Sequence, residues 1–514
     1  MENVLEYLEH SAAIYPDKIC AKDEKTACTY DEMLTHARDI GVFLTKQTKI
    51  RKPIAVFMDK SVVTLKTFMG ILYAGCFYTL IDPSFPTERV RQILDVLGTD
   101  LVITSLENVN ALSETGYEGK VIITNEYPYT TEDKKDIGNG ESLLDEIRNR
   151  IIDTDPVYCN FTSGSTGIPK GVLVSHRSVI DFINVFTDTF GITSEDTIGN
   201  QAPFDFDVSV KDIYSTLAVG ATIVIIPKSY FMFPNAVVDM LDENKVTTLI
   251  WAVSALCLLN RLHGLKHKVP SGINKILFSG EVMPIKQLNA WRAYYPDAMF
   301  VNLYGPTEIT CNCTYYILDK EYTEEDKLPM GKAFRNERVF LLDEEDHEIT
   351  DTVSNVSGEV CVSGTCLALG YYNNSLATEK AFTRNPLSTG FPETIYRTGD
   401  LAYYGEDGLL YFAGRKDFQI KHMGHRIELE EIESVLGNVS LVDHACCFFD
   451  EKKCKIVAYY AGSDDRKAIL SEMKTKVPEY MVPNILRRLP QLPLTKNGKT
   501  DRKSLQKMYE EGKA

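Results

Sequence analysis

The ten residues 162–171, TSGSTGIPKG, set the hydroxyls of Thr162, Ser163, Ser165 and Thr166 among Gly164, Gly167 and Gly171, with Lys170 beside them. Hydroxyls, free backbone N–H groups and one ammonium are what a polyphosphate needs around its oxygens. The order G-x-x-x-x-G-K-[ST] is absent, and Pro169 directly before the lysine disfavours running on into a helix, so this is not a Walker loop. The flanks, 157–161 (VYCNF) and 171–174 (GVLV), are strand-like and predict a strand-loop-strand hairpin that closes on a triphosphate. A Ser/Gly-rich surface turn is the alternative for such a segment taken alone, and residues elsewhere decide between the two.

Four more segments carry chemistry-bearing residues: 302–308 (NLYGPTE), 396–400 (YRTGD), 414–421 (GRKDFQIK) and 497–502 (NGKTDR). With 29–32 (TYDE) and 73–78 (YAGCFY) they run in one order over nearly the whole chain, which resembles the adenylate-forming superfamily of acyl-CoA synthetases, luciferases and peptide-synthetase adenylation domains. Within it the chain looks like an amino-acid adenylation domain or a D-alanine:carrier-protein ligase.

The resemblance implies ATP and Mg²⁺ as cofactors and a role for each motif. Thr162, Ser163, Gly164, Ser165, Thr166, Gly167 and Lys170 would hold the β- and γ-phosphates; Thr307 would contact the α-phosphate and Glu308 would ligate Mg²⁺. Tyr304 would offer a face to adenine, with Asn302 and Gly305 in the same segment. Asp400 would accept from the ribose hydroxyls, and Arg415 would assist at the ribose or phosphates. Lys499 would bridge the attacking carboxylate and the α-phosphate; without the resemblance, KNGKTDRKS reads as a solvated basic tail. After adenylation a small C-terminal lid is expected to swing about Asp417 and present 421–426 (KHMGHR) beside a tunnel for a phosphopantetheine thiol, with Gly424 allowing close approach and His425 structural.

The segment 204–212 (FDFDVSVKD) resembles the family's acid-pocket motif, in which the aspartate at Asp207 binds an α-ammonium. A carboxylate buried against substrate favours a cationic partner, which aryl and fatty acids lack. The other pocket positions match Val208, Lys211, Trp251, Leu277, Ser279, Leu303, Cys311 and Asn312. Val208, Leu277, Ser279 and Leu303 resemble serine-activating pockets, while Lys211 and Trp251 depart from them. Ser279 departs from the cysteine usual in D-alanine ligases. Lys211 either adds polarity to the pocket or snorkels to a neighbour. Three readings follow: an amino-acid adenylating enzyme that loads a carrier protein, an acyl- or aryl-CoA ligase, and a nucleotide-binding relative without catalysis. Asp207 disfavours the second, and the intact motif set disfavours the third.

The elements that must position these groups are those of an α/β protein. Val90, Ile93, Leu94 and Leu97 mark one helical face ahead of Gly98 and a strand at 101–104; strands at 221–226 and 247–252 flank another helix. The alternation predicts largely parallel sheets in a large N-terminal α/β domain of several subdomains, residues 1–415. A hairpin at 401–412, a polar hinge at 414–417, a helix at 428–435 and strands at 445–449 and 455–461 predict a small mobile α+β domain, 416–514. The polar stretch 125–141 reads as an exposed insertion without chemistry. At 514 residues, 44% hydrophobic and 25% charged, the chain can bury a large core. A formal charge of −17 argues against binding nucleic acid or an anionic membrane. No apolar run approaches the roughly 18 residues of a membrane span, and MENVLEYLEH lacks a signal-peptide pattern. The twelve scattered cysteines form no CxxC pair, so reduced thiols packed in a cytoplasmic monomer are expected rather than zinc. No carrier or condensation motif occurs, which leaves the activating step.

Overall fold

The computed structural model describes residues 1–127, 140–164, 167–494 and 500–512. Two largely parallel sheets dominate the first four-fifths of the chain. In one, Pro53–Phe57, Phe77–Ile81, Leu101–Thr104, Lys120–Ile123 and Pro156–Thr162 run parallel, and Lys170–Ser175 then adds antiparallel. In the other, Met299–Tyr304, Lys275–Ser279, Thr248–Ala252, Thr197–Asn200, Thr222–Ile225 and Ile19–Lys22 lie side by side in parallel. Strands buried on both faces, such as Pro53–Phe57 and Phe77–Ile81, read as unbroken apolar runs, because helices cover each side.

The helix Thr87–Leu97 buries Val90, Ile93, Leu94 and Leu97, the face that its periodicity predicts, and ends on Gly98 in the left-handed conformation (φ 57°). The helix Val208–Val219 packs on the second sheet and starts at Asp207. A third, antiparallel sheet holds Glu337–Leu342, Gly358–Gly364 and Thr394–Tyr404, and Leu410–Arg415 pairs with its last strand.

After Arg415 the architecture changes. The tight hairpin Gln419–His422/His425–Glu428 turns through Met423 (φ 54°) and Gly424 (φ 81°), the two left-handed residues of a primed turn. The helix Leu429–Gly437 then packs on the sheet of Val442–Asp450, Lys455–Gly462 and Ile485–Arg488. The apolar clusters of this part are built from residues 420–509 alone.

Two expectations need adjusting. Gly414 and Arg415 are strand, paired with Leu401 and Asp400, so the polar break shrinks to 416–418. The stretch 125–141 is not wholly exposed. Tyr127 is buried with its hydroxyl on Thr67, and Gly140 opens the helix Gly140–Arg148; residues 128–139 lie outside the described residues.

Candidate active site

The phosphate hairpin forms as its flanks predict, with Thr162 opposite Lys170 in an antiparallel pair. Its glycines are steric requirements: a Cβ on Gly164 would lie 2.0 Å from the Ile168 carbonyl oxygen, and Gly167 sits at φ 79°. Ser165 and Thr166 lie outside the described residues, as does Lys499. Lys170 reaches over the ring of Tyr371, 5.7 Å from its centroid. Two donors of the hairpin are engaged by the C-terminal part of the chain: Ser163 Oγ donates to the Arg426 carbonyl (2.8 Å) and Gly164 N–H to Glu431 Oε2 (3.1 Å). Glu431 also pairs with Arg89 at 2.8 Å, both buried.

Glu308 stands in a single 3₁₀ turn, Thr307–Ile309, directly after Pro306, and is 1% exposed. Burial opposes its charge, but the Arg426 guanidinium (2.6 and 2.9 Å) and the Tyr371 hydroxyl (2.6 Å) outweigh burial and hold its carboxyl below the ordinary range. A buried, ionised pair of hard oxygens suits Mg²⁺, which takes one or two carboxylates and otherwise phosphates and water. Among the described residues no group of three or more His, Cys, Asp or Glu could hold a metal, so Glu308 would share such an ion with the phosphates.

Asp400 accepts from the Tyr304 hydroxyl at 2.5 Å and pairs with Arg415, whose Nε and Nη2 grip both oxygens of Asp417 at 2.6 and 2.9 Å. Asn302 lines the same cleft and donates to the Pro329 carbonyl. Gly305 lets two chain segments touch, since a Cβ there would lie 2.5 Å from Asn312 Cα.

Asp207 stands at the mouth of the helix Val208–Val219, and its carbonyl accepts from Cys311 Sγ at 2.8 Å. Burial pushes its carboxyl up, against the opposing pull of Thr307, Lys211 and Lys421. Val208, Ser279 and Leu303 line the cleft, and Leu277 and Leu303 are buried on the same side as the helix. Thr310 and Cys311 hold left-handed φ values of 55° and 83°, a strained pair that aims Cys311 and Asn312 at this pocket. Lys211 does not snorkel: it is fully buried, and Nζ donates to Asn312 Oδ1 (2.7 Å) and Ser279 Oγ (3.3 Å).

Trp251 is not a pocket residue. The strand Thr248–Ala252 pairs with Lys275–Ser279 so that Ile250 lies opposite Leu277 and Trp251 opposite Phe278. Side chains alternate, so Ile250 shares the face of Leu277 and Trp251 points the other way. It packs with Phe231 and Phe278, and its indole N–H donates to the Gly199 carbonyl at 2.7 Å.

The C-terminal hairpin brings Gly424 and His425, named in the sequence, to the core, together with Lys421, to which sequence reasoning gave no role of its own. Gly424 N–H donates to Glu281 Oε1 at 2.6 Å, and a Cβ on Gly424 would stand 3.4 to 3.5 Å from Ser254 and Ala252. Lys421 lies over the Tyr304 ring, 5.7 Å from its centroid; burial lowers its pKa, while the fields of Asp400 and Asp207 support its charge. His425 stacks on Tyr480 at 3.5 Å and meets Phe206 edge-on; burial pushes its pKa down to about 3, so the ring is neutral at ordinary pH, as a structural role requires. Eleven of the twelve cysteines are buried, all twelve are free thiols, and Cys454 is exposed.

The AMP-binding enzyme family matches residues 8–372, and the AMP-binding enzyme C-terminal domain matches 431–499. The chain is 30% identical to tyrocidine synthase 1 of Brevibacillus parabrevis over 98% of its own length, but spans only 45% of that protein. It is 30% identical to the D-alanine–D-alanyl carrier protein ligase of Lacticaseibacillus casei (strain BL23), covering 98% of this chain and 99% of the ligase. In fold it superimposes on the Vibrio cholerae adenylation domain AlmE, solved with glycyl-adenosine-5'-phosphate, with a TM-score of 0.83 over 99% of this chain and 98% of that one at 21% identity. Among the described residues no helix is long and apolar enough to cross a membrane. With motifs, fold and both family matches in agreement, the chain belongs to the AMP-binding enzymes, the adenylate-forming superfamily that includes peptide-synthetase adenylation domains and D-alanine–carrier protein ligases.

Proposed function

We propose that the protein activates an amino acid with ATP to an aminoacyl-adenylate and transfers it to the phosphopantetheine thiol of a carrier protein. The observation that carries this reading is the placement of Asp207, whose charge is supported by Thr307, next to Glu308: an anchor for an α-ammonium stands beside the groups suited to the α-phosphate and a metal. In the first half-reaction the substrate carboxylate oxygen bonds to the α-phosphorus and the bond to the β-phosphate oxygen breaks, releasing pyrophosphate. Asp207 holds the ammonium, the hairpin donors of Thr162, Ser163 and Gly164 with Lys170 hold the outer phosphates, Asp400 takes the ribose, and Lys499 balances charge at the α-phosphate. Bound Mg²⁺, held by Glu308, would neutralise phosphate charge. In the second, the thiol attacks the acyl carbon and AMP leaves.

Residues 1–415 act in this reading as the binding core and 416–514 as the lid, moving about Asp417. The contacts of Ser163, Gly164 and Glu308 with Arg426 and Glu431 of the lid support assigning this arrangement to the second half-reaction, since they compete with a magnesium-bound triphosphate. Gly424 then stands where a pantetheine arm would enter. The enzyme works as a cytoplasmic monomer. Similarity over nearly the whole chain to a D-alanine–D-alanyl carrier protein ligase supports, as a second reading, activation of D-alanine for transfer to its carrier protein. Isotope exchange between pyrophosphate and ATP tests the proposal: exchange is expected with an amino acid, and exchange driven by benzoates or fatty acids alone would refute it.

A further inference from the structure

Lys211 lies four residues after Asp207 on the same helix, so the two side chains leave one face a turn apart. Its ammonium is fully buried and donates to two neutral groups, Asn312 Oδ1 at 2.7 Å and Ser279 Oγ at 3.3 Å. An ammonium carries three donors, and the third is not spent on either. Among the described residues no carboxylate oxygen comes within 4.0 Å of Nζ. Burial lowers its pKa; Cys311, Asp207 and Asp212 favour its charge, and Lys421 opposes it. Asp212 spends one oxygen on Asn200 Nδ2 at 2.6 Å and does not close on the lysine.

A buried cation on neutral partners is costly unless an anion completes the site. Val208, Ile250, Leu277 and Leu303 are apolar, so the polar atoms of this pocket converge at Lys211, Ser279 and Asn312, beyond the anchor at Asp207. We propose that the missing anion belongs to the substrate: the pocket selects an amino acid with a carboxylate in its side chain, paired to Lys211 while Ser279 and Asn312 fix the ammonium. The inference rests on the amino-acid-adenylating reading. An amide in place of that carboxylate offers the ammonium one acceptor oxygen and no charge, which is the basis of discrimination.

The test is pyrophosphate exchange with wild-type enzyme across aspartate, glutamate and 2-aminoadipate, their amides, serine and alanine, each in both chiralities. One dicarboxylic amino acid is expected to exceed its own amide, and alanine, by at least about 10²-fold in kcat/KM. Lys211→Met, which keeps length and removes charge, is expected to lower the ratio of kcat/KM for the dicarboxylic acid to that for its amide at least about tenfold, whatever the absolute rates. Robust exchange with D-alanine, serine or any other neutral amino acid, with dicarboxylates weaker, overturns the assignment and leaves the adenylating function standing. A dicarboxylate preference that survives in Lys211→Met overturns it as well. Exchange with no amino acid at all refutes the parent reading and this one with it.

Discussion

Without the Arg426 guanidinium, the Glu308 carboxylate would lose its cationic partner at 1% exposure and keep the Tyr371 hydroxyl. Breaking a buried ion pair by removing one partner costs about 3–5 kcal/mol, and here the cost falls on the arrangement in which hairpin and core are docked. Arg426→Gln is therefore expected to slow thioester formation from supplied aminoacyl-adenylate at least about tenfold, while exchange between pyrophosphate and ATP stays near wild type. Equal losses in both assays would make Arg426 a general structural residue. Lys499→Ala should show the opposite pattern, losing adenylation by at least about 10²-fold and keeping thioesterification; matched losses would remove its assignment to the first step. At this scale the sequence was legible where motif residues meet in the fold: Asp400 accepts from the Tyr304 hydroxyl, and both line one cleft with Val208, the neighbour of Asp207. It was silent on Arg426, whose partner lies 118 positions away, because a charged residue in a charged loop reads as solvated.

The same limit shows in the elements. Apolar periodicity placed the helix Thr87–Leu97 and the hairpin of Pro156–Thr162 with Lys170–Ser175, since both patterns are local. Matching the family's pocket positions failed at Trp251, where a continuous apolar run carries no alternation to check it and only the register with Leu277 and Phe278 tells one face from the other. The turn at Met423 and Gly424 makes a prediction of its own. Gly424 sits at φ 81° with Ala252 and Ser254 at van der Waals distance from its missing Cβ. Valine there is β-branched at a left-handed position and fills the space between hairpin and core. Gly424→Val is expected to cut carrier loading at least about tenfold, through a strain of order 1–3 kcal/mol, with adenylation unchanged. Loading at the wild-type rate would separate this turn from the thiol path.

For the whole molecule the question is what joins core and lid while the lid turns. The apolar clusters beyond residue 420 are self-contained, and the polar contacts made across the break by Ser163, Gly164, Arg89 and Glu281 can be exchanged for others. The chain itself crosses at 416–418, after the last paired residue, Arg415, so a large rotation must be absorbed by φ and ψ there. Asp417 does two things at this point: its carboxylate grips Arg415, which reaches Asp400, and its backbone lies in the break. Asp417→Ala removes the grip and the acceptor of the Gln419 N–H at 3.2 Å, and leaves φ free. It is expected to weaken both half-reactions to a similar, modest degree, since Arg415 then holds Asp400 with less support. Asp417→Pro also fixes φ near −65°, and should admit one orientation and penalise the other. The expected result is a folded enzyme, judged by an unchanged melting transition, in which one half-reaction falls at least about tenfold further in the proline variant than in the alanine variant. Proline and alanine variants that behave alike in both half-reactions would mean that the rotation is taken up elsewhere, at Lys416 or Phe418.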